Sequence, residues 1–410
     1  MTTHPSDLAS APAVTPADVE RAAQVLEGVA MHTPVVGSRV LSERLGGPVL
    51  FKCENLQRAG SFKIRGAYVR MSRLSAEEKA RGVVAASAGN HAQGVALAAS
   101  LLGVESTVYM PVGAALPKVA ATTEYGAQVV HVGTSVDEAL VSAREHAERT
   151  GAILIHPFDH VDVVAGQGTV GREILAQVPD VRTVLVPVGG GGLAAGIAVA
   201  LADQPQVRVI GVQAAGAASY PESLRAGHPV AATAMSTMAD GIAVARPGDV
   251  PFAILAHRGV EVRTVSEEDL SRALLMVAER AKLLVEPSGA AGVAALMAGI
   301  GPVETPVVVV LSGGNIDPLL LLRVVRHGLV AAGRYLHLRV RINDRPGRLA
   351  ALLGDLAAAG GNVVHVDHAH TGAGLAVDEV EISVQVETRG PVHAEEVVGR
   401  MRGCGYRLVE

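Results

Sequence analysis

Four short clusters in the 410-residue chain combine reactive side chains or bare backbone in ways that could do chemistry. The first is Glu54-Asn55-Leu56-Gln57-Arg58-Ala59-Gly60-Ser61-Phe62-Lys63-Ile64-Arg65-Gly66. A strand is expected to end near Glu54 and a turn to follow at Gly60, which makes Ser61 a suitable N-cap for a helix carrying Lys63. A lysine in a first helical turn meets the positive end of the macrodipole, which disfavours its charge. A desolvated, partly neutral amine is what imine formation with an aldehyde cofactor needs. A solvated lysine on an exposed helix start fits the same position.

The second cluster, Ala86-Ser87-Ala88-Gly89-Asn90-His91-Ala92-Gln93-Gly94, runs from an expected strand into a helix through small residues. Free amides and the Ser87 hydroxyl there could hold a carboxylate, and Asn90 could donate to a phenolic oxygen. A plain helix cap with a packed His91 is the alternative. The third, Gly189-Gly190-Gly191-Gly192-Leu193, joins a buried strand to an Ala-rich helix. Bare backbone at a helix N-terminus lets an anion approach closely, and a phosphate is the natural guest. Gly190, Gly192 and Ala195 nearly fit a dinucleotide fingerprint, but that motif wants an acidic residue about 20 positions on, where this chain has Gln213. A smaller phosphorylated cofactor is therefore expected. The fourth, Ser312-Gly313-Gly314-Asn315, places a hydroxyl at the C-terminal end of an apolar strand, facing the crevice where open α/β sheets bind ligands. Alone, it is only a turn.

These clusters need elements to hold them. Thr15-Pro16-Ala17-Asp18 reads as a capped helix start. From residue 49 to about 315, β-branched runs (49–54, 83–86, 106–110, 128–132, 153–156, 181–188, 207–213, 307–311) alternate with helical stretches such as 136–149 and 267–284. Such alternation predicts an α/β core of parallel-type sheets covered by helices, and its length predicts two lobes with a cleft between them, the smaller at about 53–155. After a break at 331–333 the order becomes βαββαβ, a ferredoxin-like layout: strand 335–342, helix 346–359, strands 363–369 and 379–387, helix 394–402, strand 406–409. The expected division is a loose tail over 1–14, a catalytic domain over 15–330 and a small module over 334–410.

Composition narrows the function classes. Apolar residues make up 49% and charged residues 18%, as in well-buried globular enzymes, while aromatics at 2% leave packing to Ala, Val and Leu. With a formal net charge of −5 and no basic stripe interleaved with aromatics, no nucleic-acid partner is expected. No apolar run nears the roughly 18 residues of a membrane span, so no membrane partner is expected either. Cys53 and Cys404 lie far apart with no metal-ligand spacing and suit a reducing cytoplasm; no metal site is assigned.

Taken together, from about His32-Thr33-Pro34 to Asp317, the four clusters resemble the fold-type II pyridoxal-phosphate family (tryptophan synthase β-like), and most of all its threonine ammonia-lyase, or threonine dehydratase, branch. The resemblance implies pyridoxal 5'-phosphate as cofactor, held by Lys63 as an internal aldimine, with Phe62 beside it. It implies Gly189, Gly190, Gly191, Gly192 and Leu193 around the phosphate, Asn90 beside the ring hydroxyl and Ser312 at the pyridine nitrogen. Ser87, Ala88, Gly89, Asn90 and His91 match the loop that receives the substrate carboxylate. Thr237-Met238-Ala239-Asp240-Gly241 resembles a further loop near that site. The implied reaction is β-elimination from L-threonine to 2-oxobutanoate and ammonia, and from L-serine to pyruvate, with Lys63 as the base and the cofactor phosphate as acid for the departing hydroxyl. A hydroxyl such as Ser312 does not hold the ring nitrogen protonated as a carboxylate would, which favours elimination over a long-lived carbanion.

Residues 335–410 resemble an ACT domain whose Asn343-Asp344-Arg345-Pro346-Gly347 turn sits where such modules bind an amino-acid effector, isoleucine or valine by family expectation; a single module fits the medium-length form. A dimerisation module that binds nothing is the alternative, and a homodimer or homotetramer is expected from such sheets. Departures from related patterns separate the rivals. Threonine synthase-like enzymes have Asp where this chain has Ile64. Serine racemases, the nearest competitor along with serine dehydratases, use a serine as second base where this chain has Ala88. Acidic ligands of a racemase-like cation site are replaced by Gln213 and Ser219. A non-enzymatic amino-acid sensor would not need Lys63, Asn90, the glycine run and Ser312 together.

Overall fold

The computed structural model describes residues 14–233, 235–299, 301–370 and 375–409. Of the expected tail, residues 1–13 lie outside the described residues, and Val14 is buried in the core. The chain divides into two compact units, one up to Pro318 and one from Leu319.

In chain order the strands of the first unit are β1 (Val35–Gly37), β2 (Val49–Lys52), β3 (Val83–Ala86), β4 (Ser106–Met110), β5 (Gln128–His131), β6 (Ile153–Leu154), β7 (Thr183–Pro187), β8 (Arg208–Ala214), β9 (Glu261–Val265) and β10 (Val307–Val310). They form two sheets, in orders β1-β2-β10-β7-β8-β9 and β5-β4-β3-β6. Every pairing is parallel except β1 with β2. Central β7 and β10 are continuous apolar runs buried along their whole length, as strands covered by helices on both faces must be. This is the expected two-lobed α/β core.

The capping box at Thr15 forms, with the Thr15 amide and hydroxyl donating to Asp18 Oδ2 at 2.9 and 2.6 Å. Two local expectations are corrected. Ser61 is not the N-cap of the Lys63 helix (Lys63–Ser72); Phe62 is. Ser61 is extended (φ −164°, ψ 164°), pairs as an isolated bridge with Gly313, and its hydroxyl finds no partner among the described residues. That pairing, with Phe62 N–H donating to the Ser312 carbonyl at 3.2 Å, ties the segment to the β10 end and takes precedence over a local cap. The helix expected over 267–284 runs only from Glu267 to Met276, followed by a π turn at Val277–Ala281 and Lys282 at φ +60°.

The Lys63 helix lies between the lobes. Ile64, Ala67 and Met71 belong to the small-lobe core, and Val69 to the large-lobe core. It packs on the helix Asn90–Leu102 at Gly94, where a Cβ would stand 3.0 Å from the Lys63 carbonyl carbon. A buried ion network fixes its height. The Arg65 guanidinium donates through Nε and Nη2 to Glu54 (both 2.8 Å) and through Nη1 to Glu173 (2.6 Å), while Lys52 Nζ donates to the other Glu173 oxygen (2.5 Å).

The second unit opens within helix Pro318–Ala331 and then holds β11 (Tyr335–Asn343), helix Arg348–Ala358, β12 (Asn362–Ala369), β13 (Glu379–Glu387), helix Pro391–Gly403 and β14 (Arg407–Val409). The antiparallel sheet has order β12-β13-β11-β14, so the expected βαββαβ order is present. Alternate residues Val380, Ile382, Val384 and Val386 face the helices, while the other face is half-exposed.

Candidate active site

The four clusters converge on one cavity of about 400 Å³ in the first unit. Phe62, Lys63, Ser87, Ala88, Gly89, Asn90, His91, Gly189, Gly190, Gly191, Gly192, Leu193 and Ser312 all line it. They come from strand ends and helix starts, which is where open α/β sheets place ligands.

Lys63 is the first residue of its helix. Its Nζ donates to the Pro157 carbonyl at 3.0 Å and lies 5.1 Å from the centre of the Phe62 ring. Burial, partly offset by Glu286, brings its pKa down from 10.5 to about 8, so a usable fraction of the amine is neutral near neutral pH. The glycine run caps the helix Gly192–Ala200, whose first turn offers amides to an outside acceptor. Bare backbone is required here. Gly191 has φ +98°, and a Cβ on Gly190 would stand 2.3 Å from the Phe158 ring. Tyr220 Oη props the loop from behind by donating to the Gly190 carbonyl at 3.1 Å.

Asn90 Nδ2 donates to Glu286 Oε1 at 2.6 Å, and Asn315 Nδ2 donates to Asn90 Oδ1 at 2.9 Å, which fixes the amide's orientation. Burial and the Asp240 charge raise Glu286 from 4.5 to about 7. His91 lines the cavity, but its Nε2 is bound to the Ile155 carbonyl at 2.8 Å and must carry the proton there; burial and the Lys63 charge bring its pKa down to about 3, so it stays neutral. Ser87 Oγ accepts from the Gly89 amide at 3.1 Å, shaping the turn before Asn90. Lys118 reaches across the cavity rim to Asp240 at 2.6 Å. Gln213, which stands in the place of a dinucleotide-binding acid, accepts from the Tyr220 amide at 2.9 Å inside the protein.

Sequence reasoning missed Glu286, Ser288, Lys118, Pro157 and Phe158, all of which line the cavity. Glu286-Pro287-Ser288 does carry a helix-start signal, Pro at the first helical position, but nothing local says that the start faces a site.

A pyridoxal-phosphate group suits these residues. A half-buried amine of lowered pKa, a side-chain-free amide cradle and the amide of Asn90 open on one cavity, and the Ser288 hydroxyl, buried there, has no hydrogen-bond partner among the described residues. Fold and site together define a pyridoxal-phosphate-dependent enzyme with an appended small module: the chain belongs to the pyridoxal-phosphate dependent enzyme family, whose profile matches residues 27–313, and the ACT domain profile matches 337–402. Among its relatives is the L-threonine ammonia-lyase of Geobacter sulfurreducens, 48% identical over 92% of this chain and 94% of that protein. Among solved structures, the T.th. threonine deaminase is 41% identical with TM-score 0.70, covering 74% of this chain and 99% of that one. Maize serine racemase is 34% identical with TM-score 0.73, covering 76% and 96%.

Proposed function

We propose that this chain is a threonine ammonia-lyase that converts L-threonine to 2-oxobutanoate and ammonia, and L-serine to pyruvate and ammonia. The observation that carries this reading is the opening of the Lys63 amine and the glycine cradle on one cavity. The cofactor, when bound, supplies an aldehyde for covalent attachment and an electron sink for the bond cleaved at the α-carbon. Lys63 would hold it through its amine and, when free of it, would take the α-proton of the substrate. Its lowered pKa suits that alternation between neutral and charged forms. Gly189 to Leu193 would hold its phosphate on their amides, Ser312 would serve its ring nitrogen, and Asn90, oriented by Glu286 and Asn315, would serve its ring oxygen. Ser87 to His91 receive the substrate carboxylate at the start of the Asn90 helix. Loss of water from the substrate, then hydrolysis that returns one water and releases ammonia, completes the reaction.

Residues 15–330 are assigned the catalysis and 334–410 the regulation, through an amino acid, isoleucine or valine, at the Asn343–Gly347 turn. There Gly347, at φ +85°, caps the helix Arg348–Ala358. A cytoplasmic homo-oligomer acting in amino-acid metabolism, in isoleucine synthesis or in amino-acid breakdown, is the setting proposed; no helix among the described residues is long and apolar enough to cross a membrane. Serine racemisation is the second reading, favoured by the likeness to maize serine racemase. It lacks a second acid–base group, because Ala88 has no proton to return. Purified protein incubated with L-threonine or L-serine should release 2-oxo acid, in amounts that change with added branched-chain amino acids, and should form little D-serine. Lys63→Ala should leave no measurable turnover; substantial turnover in that variant would refute the assignment.

A further inference from the structure

On the second unit, the side chains of Asp344, His368 and His370 converge, with one ligand atom of each within 4.8 Å of the others. No other group of three or more histidine, cysteine or acidic side chains comes together in this way among the described residues. We propose that these three side chains form a binding site for a divalent first-row transition cation, with Zn²⁺ the best match.

The sheet builds the cluster. His368 is the cross-strand partner of Ile382, which faces the helices. Strand alternation puts His370 on that same face, two residues further on. On β11, Ile342 pairs with Val380, again on the helix side, and alternation carries Asp344 to the same face just beyond the strand end. Asp344 is held there by its own backbone, whose N–H donates to the Asp378 carbonyl at 2.8 Å. Two strand ends thus bring one carboxylate and two imidazoles close together.

The donor set and spacing suit such a cation. Imidazole and carboxylate are the nitrogen and oxygen ligands of zinc, with bonds of about 2.0–2.2 Å, which put neighbouring donors of a tetrahedral site roughly 3.3 Å apart. His370 Nδ1 and Asp344 Oδ2 stand 3.4 Å apart, already at that separation. The His368 and His370 rings lie side by side, with centroids 4.4 Å apart and planes at 26°, so a modest rotation of either ring turns its nitrogen towards the point the other faces. All three side chains are exposed, so the small adjustment that brings in the third donor meets no packing resistance. Three protein ligands leave a fourth position for water or another small donor. Asp344 also belongs to the turn proposed for the effector, so a bound cation would fix one side of that turn.

The test uses full-length, tag-free holoenzyme carrying Cys404→Ser, because Cys404 is exposed and its thiol would also take up zinc. Zn²⁺ titrated by calorimetry, and Co²⁺ followed by its visible absorption, should each bind with one site per chain. His368→Gln, His370→Gln and Asp344→Asn should each weaken that binding by roughly tenfold or more, and the double histidine variant should abolish it. His365→Gln, on the same strand but outside the cluster, should change nothing. Absence of a stoichiometric site in the parent protein, or equal binding by parent and cluster variants, would overturn the proposal. If the double variant fails to fold by circular dichroism, the single variants and the His365 control still decide it.

Discussion

Glu286 is a carboxyl held in a place that opposes its ionisation. Its folded-state pKa, about 7, lies above the ordinary 4.5, with burial the first cause and Asp240 the second. The stabilisation it contributes is therefore fully present below about pH 4.5 and is lost as pH rises through 7. Glu286→Gln keeps an oxygen acceptor for Asn90 and removes the titration. Relative to wild type, cofactor-free Glu286→Gln should gain stability progressively between pH 4.5 and 7, by on the order of 1–3 kcal/mol, and gain nothing further above it. Urea unfolding followed across that range measures the difference; a constant offset at every pH would contradict it. Lys63 titrates in the other sense. Its folded value of about 8 lies below 10.5, so it costs stability while charged and the cost fades as pH rises from 8 to 10.5.

At the scale of elements, the Lys63 helix is positioned by ions that nothing else nearby can replace. Arg65 is about 1% exposed and spans Glu54 and Glu173, so removing one partner leaves buried charge uncompensated. Glu54→Ala should cost about 3–5 kcal/mol in chemical denaturation and lower turnover as well, because the same arginine sets the helix that carries the reactive amine. The elements are largely legible in the sequence because their signals are local: buried β-branched runs for β7 and β10, four glycines before an Ala-rich helix, and the strand order after residue 334. What escapes is decided at a distance. Asn90 meets Glu286 across 196 residues and Lys118 meets Asp240 across 122, separations that no periodicity encodes. Ser61 looks like a cap in its local sequence for the same reason, since its partner Gly313 lies on another strand end. The 267–284 stretch has an unbroken helical pattern, and only the structure reveals the π turn that ends it.

At the scale of the molecule, the chain separates after Pro318, and the T.th. threonine deaminase structure is accounted for almost entirely by about three quarters of this chain. A chain ending at Gly333 should therefore fold and turn over threonine at a rate within a fewfold of the full protein, while losing any response to branched-chain amino acids. An oxo-acid assay on the truncated protein reads both, and an insoluble or inactive product would tie catalysis to the second unit. Within the first unit, the Lys63 helix contributes side chains to the cores of both lobes. When one body rocks against another, each atom travels in proportion to its distance from the pivot. A helix keyed into both bodies lies close to any such pivot, so a rocking of the lobes would displace the cavity mouth at Lys118 and Asp240 further than the amine of Lys63.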